Sequence, residues 1–300
     1  MSPPPTPPAN RQLPVGDEIF LDHVGHFVRD PDTASRALAR AGFAPTPVSI
    51  QVNPAPDRSE RLTGTGNVTA MLARGYIEAL FKTADTPLGR ELEAARARYQ
   101  GVHLAAFTVA DAAAAHRRLA ENGFRVRPLV HMQRPVDTGG PPGTAAFTLA
   151  RVEPGEMPEG RIQILTHRTE AMVWQPRWLS HPNGALALAS IMIVVADIEE
   201  AARRFARFTD RRATPSPLGQ TIELDRGRVQ LVTADAFARK VPEVAIPSLP
   251  FMGAYAIRVA SLGVIGEMLK RAGLRTRRSE QDLVAIFPEE LGRGAWLFAE

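Results

Sequence analysis

The chain has 300 residues, no cysteine, and a formal net charge of +4 from 36 basic and 32 acidic side chains. The lack of cysteine excludes disulfide scaffolds, iron–sulfur clusters, thiol nucleophiles and cysteine-ligated zinc. The length exceeds what one hydrophobic core usually serves, which favours two domains or one large one. Any bound metal must therefore be held by histidine, carboxylate or amide side chains.

The chain begins with a proline-rich segment. Its first 14 residues contain six prolines and no apolar run, which predicts a flexible tail over residues 1–18 rather than a signal peptide. The longest apolar run, residues 185–196, is too short to cross a bilayer and suits a buried strand. We therefore expect a cytoplasmic protein with no membrane partner.

Several classes of ligand are excluded by missing motifs. No basic stretch is interleaved with aromatic residues, so a nucleic-acid partner is not expected. The chain has no phosphate-binding loop and no glycine fingerprint after a strand, so no nucleotide cofactor is expected. A GxSxG elbow is also absent, which excludes the serine-hydrolase arrangement. The expected partner is a small-molecule substrate or ligand, and a homodimer remains open.

Four segments of the chain resemble one another. Each starts with an apolar, strand-like run, at Leu21, Val102, Leu188 and Ala254. Each run ends at a residue typical of a helix N-cap, namely Asp30, Asp111, Asp197 and Ser261. A helical stretch follows, and three of the four end at a glycine: Gly42, Gly123 and Gly273. Each copy then closes with a short matching run that starts at Gly75, Gly160, Gly227 and Gly294.

The order of a strand, a helix and two or three further strands thus occurs four times. This pattern predicts an α+β fold and argues against a doubly wound parallel sheet, which would alternate single strands with helices. The second strands are the weakest part of the pattern, because prolines interrupt the first copy. Residues 133–144 are rich in proline and glycine and are predicted to form a loop.

Three stretches resemble two-domain, glyoxalase-like bacterial proteins of the vicinal-oxygen-chelate (VOC) superfamily. They are LDHVGHFVRD from Leu21, GTGN…GYIEALF from Gly64, and HRTEAMVWQPRWLSHPNGA from His167. The resemblance implies four βαβββ modules in two pairs, the glyoxalase/bleomycin-resistance/dihydroxybiphenyl-dioxygenase-like fold. It also implies an N-terminal VOC domain over residues 19–170, a connector over 171–185, and a C-terminal VOC-like domain over 186–300.

The resemblance also implies a metal site, because in this superfamily the first and last strands of paired modules supply ligands to a cup. In the N-terminal pair these positions suggest the ligands His23, Glu78, His103 and Gln163 for divalent Fe, Mn, Zn, Ni or Co. In the C-terminal pair they hold residues that cannot bind such an ion: Ser190, Gln230, Ala254 and Leu297. Strict counting from the helix caps puts Leu104 rather than His103 opposite His23, and a bulge would be needed to restore His103.

Further residues are candidates for roles around this cup. Glu78 is expected to move a proton, and His167 is expected to be a fourth ligand or a general base. Asn67, His131 and Trp174 are candidates for contact with substrate. His26, three residues from His23, is predicted to lie on the opposite face of the strand as a packing or interface residue.

Three functions remain open at this point. The leading interpretation is an enzyme that uses a divalent metal in the N-terminal cup to bind a small oxygenated substrate. It would stabilise an enolate or similar oxyanion, as a lyase or isomerase does. The alternatives are a metal-free protein that sequesters a small aromatic or drug-like ligand, and a dioxygenase-type enzyme.

Overall fold

The computed structural model describes residues 11–54, 60–279 and 282–300. The predicted tail therefore lies partly outside the described residues, since residues 1–10 are not among them. Residues 11–18 lie against the folded chain, where the Gln12 side chain is buried and donates to the Ala73 carbonyl. The Arg11 guanidinium pairs with the Glu18 carboxylate at 2.5 Å.

The N-terminal half contains two modules joined by a helix. The first module comprises β1 (Ile19–Phe27), α1 (Pro31–Arg40), β2 (Ser49–Pro54), β3 (Glu60–Met71) and β4 (Tyr76–Lys82). Helix α2 (Pro87–Arg98) leads to the second module, which comprises β5 (Gly101–Val109), α3 (Ala112–Glu121), β6 (Val130–Val136), β7 (Gly143–Arg151) and β8 (Arg161–His167). The short helix α4 (Glu170–Val173) and a 3₁₀ turn (Pro176–Trp178) form the connector.

The C-terminal half repeats this arrangement. The third module comprises β9 (Ala185–Val194), α5 (Ile198–Thr209), β10 (Ala213–Ser216), β11 (Gly219–Glu223) and β12 (Arg228–Val232). Helix α6 (Ala234–Lys240) precedes the fourth module, which comprises β13 (Phe251–Val259), α7 (Leu262–Arg271), β14 (Thr276–Arg278), β15 (Leu283–Ile286) and β16 (Ala295–Ala299). The predicted α+β fold of four modules is confirmed. Helices α2 and α6 have no counterpart in the sequence prediction, and the segment predicted as a loop over 133–144 contains the ends of β6 and β7.

The predicted helix ends are also confirmed. Each of the four N-cap side chains accepts a hydrogen bond from a backbone amide in the first helical turn. Gly42, Gly123 and Gly273 follow their helices with φ values of 80°, 83° and 70°, a conformation that costs glycine little. In the third module Asp210 takes this place with φ 57°, a conformation that aspartate tolerates better than most residues.

The eight N-terminal strands close into a ring. Their order is β1-β4-β3-β2-β6-β7-β8-β5, and β5 pairs back with β1. The C-terminal strands follow the order β10-β11-β12-β9-β13-β16-β15-β14, and in the described part of the chain no pairing joins β10 to β14. Because side chains alternate along a strand, the closed ring directs every second residue into a cup. Within the described ranges, no helix is both long enough and apolar enough to cross a bilayer.

The two halves share one hydrophobic core. A single buried cluster contains Leu21 and Ile77 from the N-terminal half together with Ile191 and Trp296 from the C-terminal half. His26 joins the halves through hydrogen bonds, from its Nδ1 to the Leu291 carbonyl at 2.8 Å and between its Nε2 and the Tyr255 hydroxyl at 2.9 Å. His26 thus lies at the interface between the halves, on the opposite face of β1 from His23.

We expect His26 to make stability depend on pH. Burial lowers the pKa of His26 to about 4 from an ordinary value of 6.5, because the folded state favours the neutral ring. The stability that the neutral His26 ring gives the folded state is fully present above pH 6.5 and is lost as the pH falls towards 4. The free energy of unfolding falls by about 3 kcal/mol in total. Urea unfolding at pH 7 and pH 4 measures this loss. The His26→Gln variant should lose about 3 kcal/mol less between these pH values than the unchanged chain. An equal loss in both proteins would contradict the assignment.

Candidate active site

Strand β1 places two neighbouring polar side chains together by means of a bulge. The register against β5 shifts between Leu21 and His23, which leaves Asp22 between the two paired positions. A bulge changes the direction of a side chain locally, so the adjacent residues can contact each other. The Asp22 Oδ1 lies 2.6 Å from the His23 Nδ1. The other oxygen of Asp22, Oδ2, lies 2.9 Å from the Nε2 of His167 at the end of β8.

The Asp22 carboxylate fixes the protonation of both histidines. A carboxylate only accepts hydrogen bonds, so His23 carries its proton on Nδ1 and His167 carries its proton on Nε2. Burial raises the pKa of Asp22, but its interactions with His167 and His23 outweigh burial and hold the pKa well below its ordinary value. The carboxylate therefore stays ionised. The Nε2 atom of His23 is left facing the cup.

The Glu78 carboxylate lies opposite this nitrogen. Its Oε2 is 3.6 Å from the His23 Nε2, and its Oε1 accepts hydrogen bonds from the amides of Asn67 and Gln51. Tyr76, two residues earlier on the same face of β4, stacks on the His23 ring with centroids 4.3 Å apart. The His23 and Glu78 side chains are thus held in place from several sides. Asn67, which was predicted to contact substrate, lines the cup, but its amide nitrogen donates a hydrogen bond to Glu78.

Three arginines from β6, β7 and β8 also line the cup: Arg134, Arg151 and Arg161. Arg134 is only 5% exposed, and no hydrogen bond from its guanidinium is found within the described ranges. The Nε of Arg151 donates to Gln163 Oε1 at 2.9 Å, and Arg161 lies over the Phe27 ring. Burial lowers the pKa of all three arginines, that of Arg151 to about 9. The cup thus holds more positive than negative charge.

The prediction that His103 faces the cup is wrong. The register between β1 and β5 shifts a second time, so that Gly25 pairs with Leu104 and His26 pairs with Val102, leaving His103 between them. Its Nε2 donates to the Tyr99 carbonyl at 2.7 Å, and its ring stacks on the Tyr99 ring. Leu104 lines the cup instead, as strict counting from the caps indicated. The bulge that the prediction required is present, but it directs the His103 side chain away from the cup.

His131 and Trp174 also lie elsewhere than predicted. His131 is exposed on the outer face of β6, with its Nδ1 3.3 Å from the Thr148 hydroxyl, because Met132 and Arg134 take the inward positions. Trp174 is buried behind His167, with ring centroids 4.6 Å apart, and does not line the cup. Among described residues, neither the Trp174 Nε1 nor the His167 Nδ1 has a hydrogen-bond partner.

The donor set does not fit a divalent metal held by three or four side chains. His23 Nε2 and Glu78 Oε2 converge, but Leu104 occupies the predicted third position and Gln163 Oε1 is already bonded to Arg151. No group of three histidine, aspartate or glutamate side chains in the described part of the chain has the geometry to hold a metal. Three nearby guanidinium groups also oppose a dication on electrostatic grounds.

The corresponding cup in the C-terminal half is filled. Ser190 and Gln230 hydrogen bond to each other at 3.3 Å, while Ala254 and Leu297 are buried in an apolar cluster. The ring of Phe237, from α6, enters this cluster and is fully buried. In the N-terminal half the equivalent helix α2 contributes the smaller Leu92 to the inner cluster. Phe237 thus occupies space in the C-terminal cup.

The residues that sequence analysis missed are Asp22 and the three arginines. Asp22 could have been noticed in the sequence, because it is an acidic residue next to His23 in an otherwise apolar strand. Arg134 lies in the segment predicted as a loop, so its inward direction had no sequence signal. Arg161 could have been predicted from the repeat. It follows Gly160 as Tyr76 follows Gly75, so the two residues occupy equivalent positions in their modules.

Comparisons with known proteins agree with the observed fold. A family model described as a glyoxalase-like domain matches residues 21–209, more than half of the chain. No curated protein sequence matches at a significant level.

Similar solved structures extend over nearly the whole chain. A hypothetical protein from Staphylococcus aureus is 10% identical, with 93% of this chain and 98% of that one covered and a TM-score of 0.63. A mutant of 4-hydroxymandelate synthase from Streptomyces coelicolor is 13% identical, with 94% and 92% covered and a TM-score of 0.56. A Mn(II)-bound glyoxalase from Novosphingobium aromaticivorans is 12% identical, with 94% and 81% covered and a TM-score of 0.52. These identities support the fold alone, and the family match shows that the chain belongs to the glyoxalase-like domain family of the VOC superfamily.

Proposed function

We propose that the N-terminal cup is the active site of a lyase- or isomerase-type enzyme that moves a proton on a small anionic substrate. The observation that carries this proposal is the buried chain Glu78–His23–Asp22–His167 beside three arginines. In this chain Asp22 accepts from Nδ1 of His23, so Nε2 is the ring nitrogen that faces the cup and can take a proton as a general base. The arginines supply the positive charge that an oxyanion requires.

The proton transfer follows from this arrangement. Arg134 binds the anionic group of the substrate, and His23 Nε2 takes a proton from the carbon beside a carbonyl group. The electron pair of the broken C–H bond moves onto the carbonyl oxygen, and a neighbouring guanidinium stabilises the resulting enolate. Asp22 stabilises the imidazolium that forms. Glu78 lies within reach of the same proton and can return it at a second carbon or oxygen.

The divalent metal expected from the family resemblance is not needed for this proposal. One similar structure is a Mn(II)-bound glyoxalase by its title. In the present chain the position of a third ligand is taken by Leu104, so the proposed proton transfer uses side chains of the chain only. We therefore expect chelation to leave the reaction unchanged.

The proposal is tested by hydrogen exchange on 2-oxobutyrate. The protein is incubated with this acid in D₂O, and NMR follows the loss of the C3 proton signal. His23→Ala is expected to slow the exchange by about 10²–10⁴-fold, because a general base is removed. Ser190→Ala is the matched control, since Ser190 is the module equivalent of His23 in the filled cup and should leave the rate unchanged. Treatment with EDTA should also leave it unchanged.

Two results would overturn this function. Equal exchange in the unchanged chain and His23→Ala would remove His23 from the chemistry, and loss with EDTA followed by recovery with Mn²⁺ would indicate a metal enzyme. A second candidate function is a metal-free binding protein, favoured by the three arginines of the cup, which form no ion pair with any described carboxylate. That function predicts stabilisation by 2-oxobutyrate without any exchange.

A further inference from the structure

A second chamber lies directly outside the cup. It has a volume of about 340 Å³, whereas the inner pocket beside His23 and Glu78 offers only about 20 Å³, which is space for a water-sized group. Arg134 lines both spaces, and we call its position the junction. We call the larger space the outer chamber; its apolar lining comprises Met71, Val136, Met172, Val173 and Trp178.

The lining of the outer chamber is suited to an apolar group. Met71 and Val173 are almost fully buried, and the connector that follows β8 supplies Met172, Val173 and Trp178. The connector is held over the chamber by Arg177, whose guanidinium lies 3.1 Å from the Asp137 carboxylate and over the Trp178 ring. The connector therefore covers part of the outer chamber, whose lining also includes polar residues such as Ser49, Thr69 and Gln175.

The junction between the two spaces is suited to an anion. The Arg134 side chain is 95% buried, and within the described ranges it makes no hydrogen bond, although a guanidinium has five N–H donors. A guanidinium with little access to water and no hydrogen bond is suited to a carboxylate, which can form two parallel hydrogen bonds with it. Burial lowers the pKa of Arg134, and the nearby Tyr76 and Glu78 offset this only in part.

We infer that the cup binds a small carboxylic acid with an unbranched apolar tail, with the carboxylate on Arg134 and the tail in the outer chamber. This inference goes beyond the proposed function and concerns binding alone, because a carboxylate on Arg134 with its tail in the outer chamber has no carbon beside His23. The positive charge of Arg134 selects the acid, and the apolar side chains of the outer chamber select the tail.

Unreactive fatty acids test this inference without requiring turnover. Isothermal titration with acetate, butyrate and hexanoate measures how affinity depends on chain length. Each buried methylene contributes about a fourfold gain, so hexanoate should bind at least about tenfold more tightly than acetate. Trp178→Ala should weaken hexanoate several-fold and leave acetate unchanged. Arg134→Met should weaken both acids, whereas the exposed control Arg239→Met should weaken neither.

Equal affinity for acetate and hexanoate would overturn the inference, as would a preference for hexanoate that Trp178→Ala leaves intact. Absence of binding by all three acids would overturn it as well. Circular dichroism confirms that each variant is folded, and the chain-length series on the unchanged protein needs no variant. The inference and the proposed function fail separately, because hydrogen exchange on 2-oxobutyrate does not depend on a long tail.

Discussion

Asp22→Asn is expected to slow hydrogen exchange on 2-oxobutyrate by about 10²–10⁴-fold, although Asp22 does not line the cup. An asparagine can accept a hydrogen bond from only one of the two histidines and must donate to the other. If it donates to His23, the Nδ1 loses its proton and Nε2 is no longer a base. If it donates to His167, the proton of that ring moves to an Nδ1 that has no acceptor among described residues.

The variant also removes the negative charge that stabilises the imidazolium of His23. His167→Gln provides the comparison, because a glutamine amide can still donate to Asp22 and should slow exchange about tenfold or less. Asp17→Asn, at an exposed position, is the control for the loss of one negative charge. Binding of acetate should be nearly unchanged in Asp22→Asn, since Arg134 is untouched. An unchanged exchange rate in a folded Asp22→Asn protein would remove Asp22 and His167 from the mechanism.

Phe237→Ala is expected to lower the free energy of unfolding by about 3–5 kcal/mol, because it leaves a large cavity in the C-terminal cup. The Phe237 ring is fully buried, packs edge-to-face on Phe251, and lies so close to Gly253 that a Cβ at that position would be 2.5 Å from it. Neighbouring side chains cannot fill this space, because interiors pack at nearly crystalline density.

Urea unfolding of Phe237→Ala against Leu186→Ala measures this effect. Leu186 is 45% exposed, so its replacement should cost about 0.5 kcal/mol or less. Hydrogen exchange on 2-oxobutyrate at a temperature where both proteins are folded should be unchanged, since Phe237 belongs to the other half. A loss below about 1 kcal/mol would show that Phe237 does not fill the cup tightly.

Much of the architecture could be read from local sequence signals. The four N-caps and the residues with positive φ after the helices are determined within one or two turns of chain, and they agree with the structure. The pairing of His23 with Glu78 followed from module equivalence, because the last strand of each module lies beside its first strand. The same equivalence identified Leu104 as the residue of the second module that corresponds to His23.

The remaining parts of the site depend on contacts that are distant in sequence. Asp22 meets His167 across 145 residues, and no local pattern relates the two positions. Arg134 points inwards because β6 continues into the segment rich in proline and glycine. His103 is excluded from the cup by a bulge, and whether a bulge turns a side chain in or out is decided by the neighbouring strand.

The four repeated strand–helix units determined by themselves that this is an α+β protein of four modules, and the family resemblance pointed to the positions at which one half lacks metal ligands. These features follow from residue types and short-range spacing, which any fold must respect. Only the tertiary structure decided that the other half also lacks a third ligand and instead gathers three arginines around His23 and Glu78. The physical reason is that ring closure sets the inward direction of each strand through long-range pairing, and a shift of one residue changes the face of every side chain that follows.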